Sequence, residues 1–185
     1  MRIKVGVMGS ATDATQPETR ALLTEKVEGL AAAIAKHELI LLTGATTGIV
    51  YVAGKAAMDA GAFHIGVSPA SNEAEHVDVY KLPLDACDAI VYTGFGLKGR
   101  NVVLVRSSDV VLFVAGAMGS LNEFTIAHDE GKIIGCLTGS GGVADDVEYL
   151  VEKFGKRGGA AIVFRSEDSE QLLEMCLAAL RPPSA

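Results

Sequence analysis

Cysteine is scarce. The chain has only Cys87, Cys136 and Cys176, far apart and with no C-x-x-C pattern. That spacing excludes a zinc-binding motif and a disulfide framework, and it leaves Cys136, inside an apolar run, as a small core residue. Positive charge is also in deficit: 16 Lys and Arg stand against 23 Asp and Glu, for a net charge of −7. Such a balance argues against non-specific nucleic-acid binding but leaves room for one local basic pocket. No apolar run is long enough to span a bilayer, and no secretory pattern precedes the first strand-like run. A cytoplasmic location, without membrane partners, is therefore expected. Internal repeats and linkers are missing, as are Ser-His-Asp and metal-ligand constellations, so neither a metal nor another cofactor is expected.

What the chain does have is glycine, 21 residues of it, in a sequence that is 49% apolar and 21% charged. Its length suits one domain over 1–185 with a sizeable core. Apolar, strand-like runs alternate with helical periods throughout. Strands are expected at 3–8, 39–43, 63–67, 89–92, 110–114, 132–136 and 161–164. Several are apolar at every position, as strands covered on both faces must be. Helices are expected at 17–36, 47–60, 97–107, 118–130, 143–154 and 167–180. The first has capping-box spacing at Thr15 and Glu18, with Pro17 in its first turn and a stripe of Leu23, Val27, Leu30 and Ile34. The last opens on Glu167, Asp168 and Glu170 and stops before Pro182 and Pro183. This alternation predicts an α/β, Rossmann-like, doubly wound and mostly parallel sheet of about seven strands, with helices on both faces. The irregular stretch 68–88 starts with polar residues and reads as a surface loop or lid.

Four glycine-rich turns follow strands, at 9–12, 43–48, 116–120 and 138–142. In a parallel sheet they share one edge, where free backbone N–H groups and positive helix ends attract an anion. The candidate phosphate or nucleotide contacts are Gly9, Ser10, Gly44, Thr46, Gly116, Gly119 and Ser120. Residues 94–99 match G-x-G-x-x-G by letter, but they do not follow the first strand, and no acidic residue ends a following strand at the distance a dinucleotide site needs. Arg100, at a helix start, can reach the strand-end crevice, whereas Arg106, six residues on, suits a structural or subunit contact. Glu123 lies one turn inside the helix after Gly116, beside any anion bound there. Asn122 and His128 are weaker candidates.

Two segments carry a family resemblance. Arg100-Asn101-x4-Arg106-Ser107-Ser108-Asp109, followed by Ala115-Gly116-Ala117-Met118-Gly119-Ser120-Leu121-Asn122-Glu123, resembles the Lonely Guy (LOG) family, with its Arg-Lys-type segment and P-G-G-x-G-T-x-x-E signature. The family's lysine is Asn101 here, its proline Ala115, its second glycine Ala117 and its threonine Ser120. Ala117, unlike glycine, disfavours a positive φ. The Arg-Asn pair is closer to a bacterial LOG-like branch that also resembles molybdenum cofactor carrier proteins. The resemblance implies a Rossmann-like homodimer or higher homo-oligomer. It implies hydrolysis of the N-glycosidic bond of a purine nucleoside 5′-monophosphate to base and ribose 5-phosphate. Arg100 and Glu123 would match the catalytic pair, and Gly116, Gly119 and Ser120 the phosphate cradle. The alternative is a carrier or sensor that binds a nucleotide or a phosphorylated cofactor, such as molybdenum cofactor, without turnover.

Overall fold

A computed structural model of the chain describes residues 1–10, 16–155 and 160–180. Its strands are β1 (Lys4–Gly9), β2 (Ile40–Thr43), β3 (Phe63–Ser68), β4 (Ala89–Tyr92), β5 (Val110–Val114), β6 (Ile133–Leu137) and β7 (Ile162–Ser166). Its helices are α1 (Pro17–Lys36), α2 (Ile49–Asp59), α3 (Gly96–Ser107), α4 (Met118–Asp129), α5 (Gly142–Phe154) and α6 (Ser169–Leu180). The strands form one all-parallel sheet in the order β4-β3-β2-β1-β5-β6-β7. This is the doubly wound α/β architecture expected.

Burial explains the continuous apolar runs. Along β5, Val110, Leu112 and Val114 join a core with α1, α2 and α6 on one face. Val111 and Phe113 join a second core with α3, α4 and α5 on the other. Every residue of β5 is therefore buried, as a central parallel strand requires. At roughly 25 cal/mol per Å² of apolar surface, burying each such side chain contributes about 1.5–3 kcal/mol.

Local rules set the helix ends. Pro17 opens α1, where its missing N–H costs no hydrogen bond. The expected cap Thr15 lies outside the described residues, as do Ala11 and Thr12 of the first turn and the Pro182-Pro183 stop. α6 starts two residues later than expected, because the Asp168 carboxylate accepts from the Gln171 amide at 2.7 Å and caps it.

The segment 68–88 is anchored rather than loose. It contains a π-helical turn, Glu75–Val79, that the sequence reading did not anticipate. His76 within it is fully buried. Its Nδ1 pairs with the Ser68 hydroxyl at 2.8 Å and its Nε2 with the Pro83 carbonyl at 3.0 Å. Cys136 and Cys176 are core residues and Cys87 is half-buried; burial pushes each thiol up to about 12, so none is a ready nucleophile.

The order of strands reverses between β1 and β5. The chain runs outward from β1 to β4, then crosses back through α3 to β5 and runs outward again. Gly9 is in register with Val114, so the turns after β1 and β5 leave the sheet side by side. That switch point opens a crevice at the carboxyl ends of the strands.

Candidate functional site

A cleft of about 270 Å³ occupies this crevice, close to the lower end of small-ligand sites. It is lined by Gly9 and Ser10 after β1, Gly44 and Thr46 after β2, Leu97, Lys98, Arg100 and Asn101 from α3, and Ala117, Gly119, Ser120 and Glu123 at the start of α4. Eight of the nine predicted site residues thus meet in one place. The ninth, Gly116, stands behind the cleft. Its φ is +106°, and a Cβ there would come within 2.6 Å of the Ser120 Cβ.

The centre of the cleft is an ion pair taken out of water. Arg100 Nη1 lies 3.5 Å from Glu123 Oε1, and both side chains are more than nine-tenths buried. Burial pushes the Glu123 carboxyl up to about 7, although Arg100 and, more weakly, Lys98 pull it down. Desolvation also pulls the Arg100 guanidinium below its usual range, against the attraction of Glu123. At a separation of 3.5 Å the pair is close but not tightly hydrogen-bonded, and its attraction does not offset the loss of water. Arg100 Nε is buried with no hydrogen-bond partner among the described residues. An unpaired buried donor is costly, and a bound anion or acceptor would relieve it.

Gly44 makes room for the arginine. A Cβ at position 44 would lie 2.0 Å from Arg100 Nη1 and 2.6 Å from Cζ. The guanidinium therefore packs directly on the turn after β2, closer than any side chain at position 44 would allow.

The turn after β5 is shaped by Ala115 and braced from below. Ala115 has φ +52°, a conformation closed to proline, whose ring fixes φ near −65°. The chain here takes a path that the LOG-type proline cannot follow. Ala117, where strain was expected, is extended with φ −119°. The left-handed residue is Ala115 instead. The first amides of α4 have no acceptor within the helix and face the cleft mouth. The Ser120 hydroxyl donates to the Gly9 carbonyl at 3.2 Å, tying the two turns together.

The fourth glycine turn, 138–142, does not line the cleft. The Ala115 amide donates to Ser140 Oγ at 2.7 Å, and the amides of Val143 and Ala144 donate to the carbonyls of Gly116 and Ala115. A Cβ on Gly142 would sit 2.1 Å from the Gly116 carbonyl. Gly142 thus serves close packing against the turn that builds the cleft.

The remaining candidates separate cleanly. Arg106 is exposed and paired with Glu130 at 2.6 Å, a structural contact away from the cleft. His128 packs against Phe124 with ring centroids 6.1 Å apart, on the side of α4 that faces α5. In the G-x-G-x-x-G look-alike, Gly94 and Gly96 both have positive φ and form the entry to α3 beyond β4, at the sheet edge. Asn101 was read as a departure from the motif and as half of the Arg-Asn pair, not as a site residue. It is 3% exposed and lines the cleft beside Glu123. Leu97 and Asn101, four residues apart on α3, face the same side, which was the available signal.

This fold and crevice define a Rossmann-like α/β protein with its cleft at the topological switch point. The chain belongs to the SLOG cluster4 family, whose sequence model matches residues 2–173, which bears out the expected LOG-like class. It is 30% identical over 104 residues to an uncharacterized protein from Archaeoglobus fulgidus, a match covering 56% of this chain and 63% of that protein's length. The molybdenum cofactor binding protein of Rippkaea orientalis superposes with a TM-score of 0.77 at 24% identity, covering 98% of this chain and 99% of that one. The molybdenum cofactor carrier protein of Chlamydomonas reinhardtii superposes with a TM-score of 0.71 at 26% identity, covering 97% and 98%. The fold also extends to the single-stranded DNA binding protein DprA of Helicobacter pylori, at 16% identity and a TM-score of 0.62, covering 96% of this chain and 81% of that one.

Proposed function

We propose that the cleft binds a purine nucleoside 5′-monophosphate and cleaves its N-glycosidic bond, releasing base and ribose 5-phosphate. The buried Arg100–Glu123 pair carries this reading: a carboxyl and a guanidinium 3.5 Å apart, with Arg100 Nε unpaired at the open amino end of α4. The phosphate would sit on the amides of Gly119 and Ser120, where helix dipole and free N–H groups favour an anion. Water would add to C1′ as the C1′–N bond breaks, its proton passing to the departing base. That step develops positive charge on the sugar. The Glu123 carboxylate would stabilise it and orient the water, as carboxylates do in glycosidases. Arg100 would hold phosphate or base in that pose.

The purified protein should release free base and ribose 5-phosphate from AMP or N6-isopentenyl-AMP. Glu123→Gln should abolish that release while calorimetry still detects nucleotide binding. Undiminished turnover in this variant would remove Glu123 from the chemistry. The second reading is a carrier without turnover. It is favoured by the two cofactor-binding proteins of the same fold. Nucleotide binding with no product from the wild type would select it. Under either reading, we expect a cytoplasmic homo-oligomer that takes a small phosphorylated ligand.

A further inference from the structure

The side-chain amide of Asn101 lies among three polar neighbours. With its nitrogen turned to Glu123 and Leu97, it donates to Glu123 Oε1 at 3.1 Å and to the Leu97 carbonyl at 3.0 Å. Its oxygen then meets the Asn122 amide at 2.9 Å, a hydrogen bond only when that amide is turned too and presents its nitrogen; with neither amide turned, Asn101 Nδ2 donates to Asn122 Oδ1 at the same distance. With both amides turned, no amide oxygen is set against the Leu97 carbonyl, Glu123 Oε1 or the other amide oxygen, since an amide is oriented by the network around it. The Arg100 contact also falls on Oε1. Among the described residues no hydrogen bond falls on Glu123 Oε2, and the shortest ion-pair contact is to Oε1.

We propose that Asn101 is a positioning residue: its uncharged amide pins Glu123 through Oε1 and turns Oε2 toward the ligand. The proposal rests on the reading that Glu123 is the group that meets the ligand. It assigns to Asn101 two effects that a charged side chain would not combine. The amide fixes the plane of the carboxyl, and it adds no positive charge to offset burial. The charged groups facing Glu123 are Arg100 and Lys98, both on α3. The described residues of the turns after β1 and β2 offer only Ser10 and Thr46, which carry none. An asparagine here therefore leaves the carboxyl poised near neutrality, where a lysine would hold it ionised.

Carboxyl-labelled NMR of the ligand-free protein tests this independently of any activity. Asn101→Leu removes a donor to the ionised form, so the Glu123 midpoint should rise. Asn101→Lys adds a cation, so the midpoint should fall by about one pH unit or more, a tenfold change in ionisation. Opposite movements are the signature. Simple loosening would send both variants down toward the ordinary carboxylate range. A fall or no change in Asn101→Leu would overturn the proposal, and if that variant fails to fold, an unmoved midpoint in Asn101→Lys would do so. With AMP, kcat should fall in Asn101→Leu while KM holds, and an unchanged kcat would count against positioning. If the midpoints move as expected and even the wild type shows no turnover, positioning stands and the hydrolase reading falls.

Discussion

Glu123 makes stability depend on pH in an unusual direction. Its folded-state value of about 7 stands above the ordinary 4.5. The native state therefore holds a proton that the unfolded chain has already released between those values. Stability from this group is fully present below about pH 4.5 and is lost as pH rises through 7. Glu123→Gln removes the titration. Relative to wild type, the variant should gain about 3 kcal/mol between pH 4.5 and pH 8, since each tenfold change in proton affinity is worth about 1.4 kcal/mol. Urea melts at the two pH values measure this, and a pH-independent difference would mean that the carboxyl titrates normally. The same group sets the expected activity profile. If Glu123 acts as a carboxylate, turnover should climb through about pH 7, the midpoint that burial gives it.

Turns, more than helices or strands, decide where the site lies, and they differ in how readable they are. The Gly9, Gly44 and Gly116 turns were legible because their composition coincides with strand ends in a parallel sheet. The 138–142 turn has the same composition but braces its neighbour. Only the tertiary structure separates the two roles: Gly142 is small so that the Gly116 carbonyl can approach, whereas Gly119 lines the cleft. The brace predicts that Ser140→Ala, which leaves the Ala115 amide without its partner, costs about 1–3 kcal/mol. It should also weaken AMP binding without touching the cleft. Thermal melts and calorimetry check both effects, and unchanged binding in a destabilised variant would separate the brace from the site. The π-helical turn Glu75–Val79 escaped the sequence reading for a related reason. It has no helical period, and bonds from His76 to Ser68 and Pro83 hold it, invisible in a local window.

Across the whole molecule, alternation of apolar runs revealed the layers, but not the order of strands. That order depends on where the chain turns back, and no residue pattern in the crossover through α3 announces it. The two faces also carry opposing pH responses. His64, inside the sheet, is pushed down to about 4 by desolvation, despite its bond to the Ala86 carbonyl and the nearby Asp88. Its Nε2 meets the Thr43 hydroxyl at 2.9 Å. A buried neutral histidine contributes stability that is present above about pH 6.5 and lost as pH falls through 4, the reverse of Glu123. The two slopes nearly cancel between about pH 4.5 and 6.5. His64→Gln should therefore remove about 3 kcal/mol of acid destabilisation, so that the variant loses less stability than wild type between pH 7 and pH 4 in urea titrations. An equal loss in both would mean that His64 charges freely.

The split at the switch point has a consequence for assembly in time. Arg100 belongs to the crossover that closes the β1–β4 wing, and Glu123 arrives only with α4, after β5 has docked. A chain emerging from its N-terminus thus carries an arginine awaiting its counter-charge while half the sheet is still unmade. A form without β5 and α4 cannot hold both halves of the pair, so the cleft comes into existence only once β5 has joined β1 and brought α4 with it.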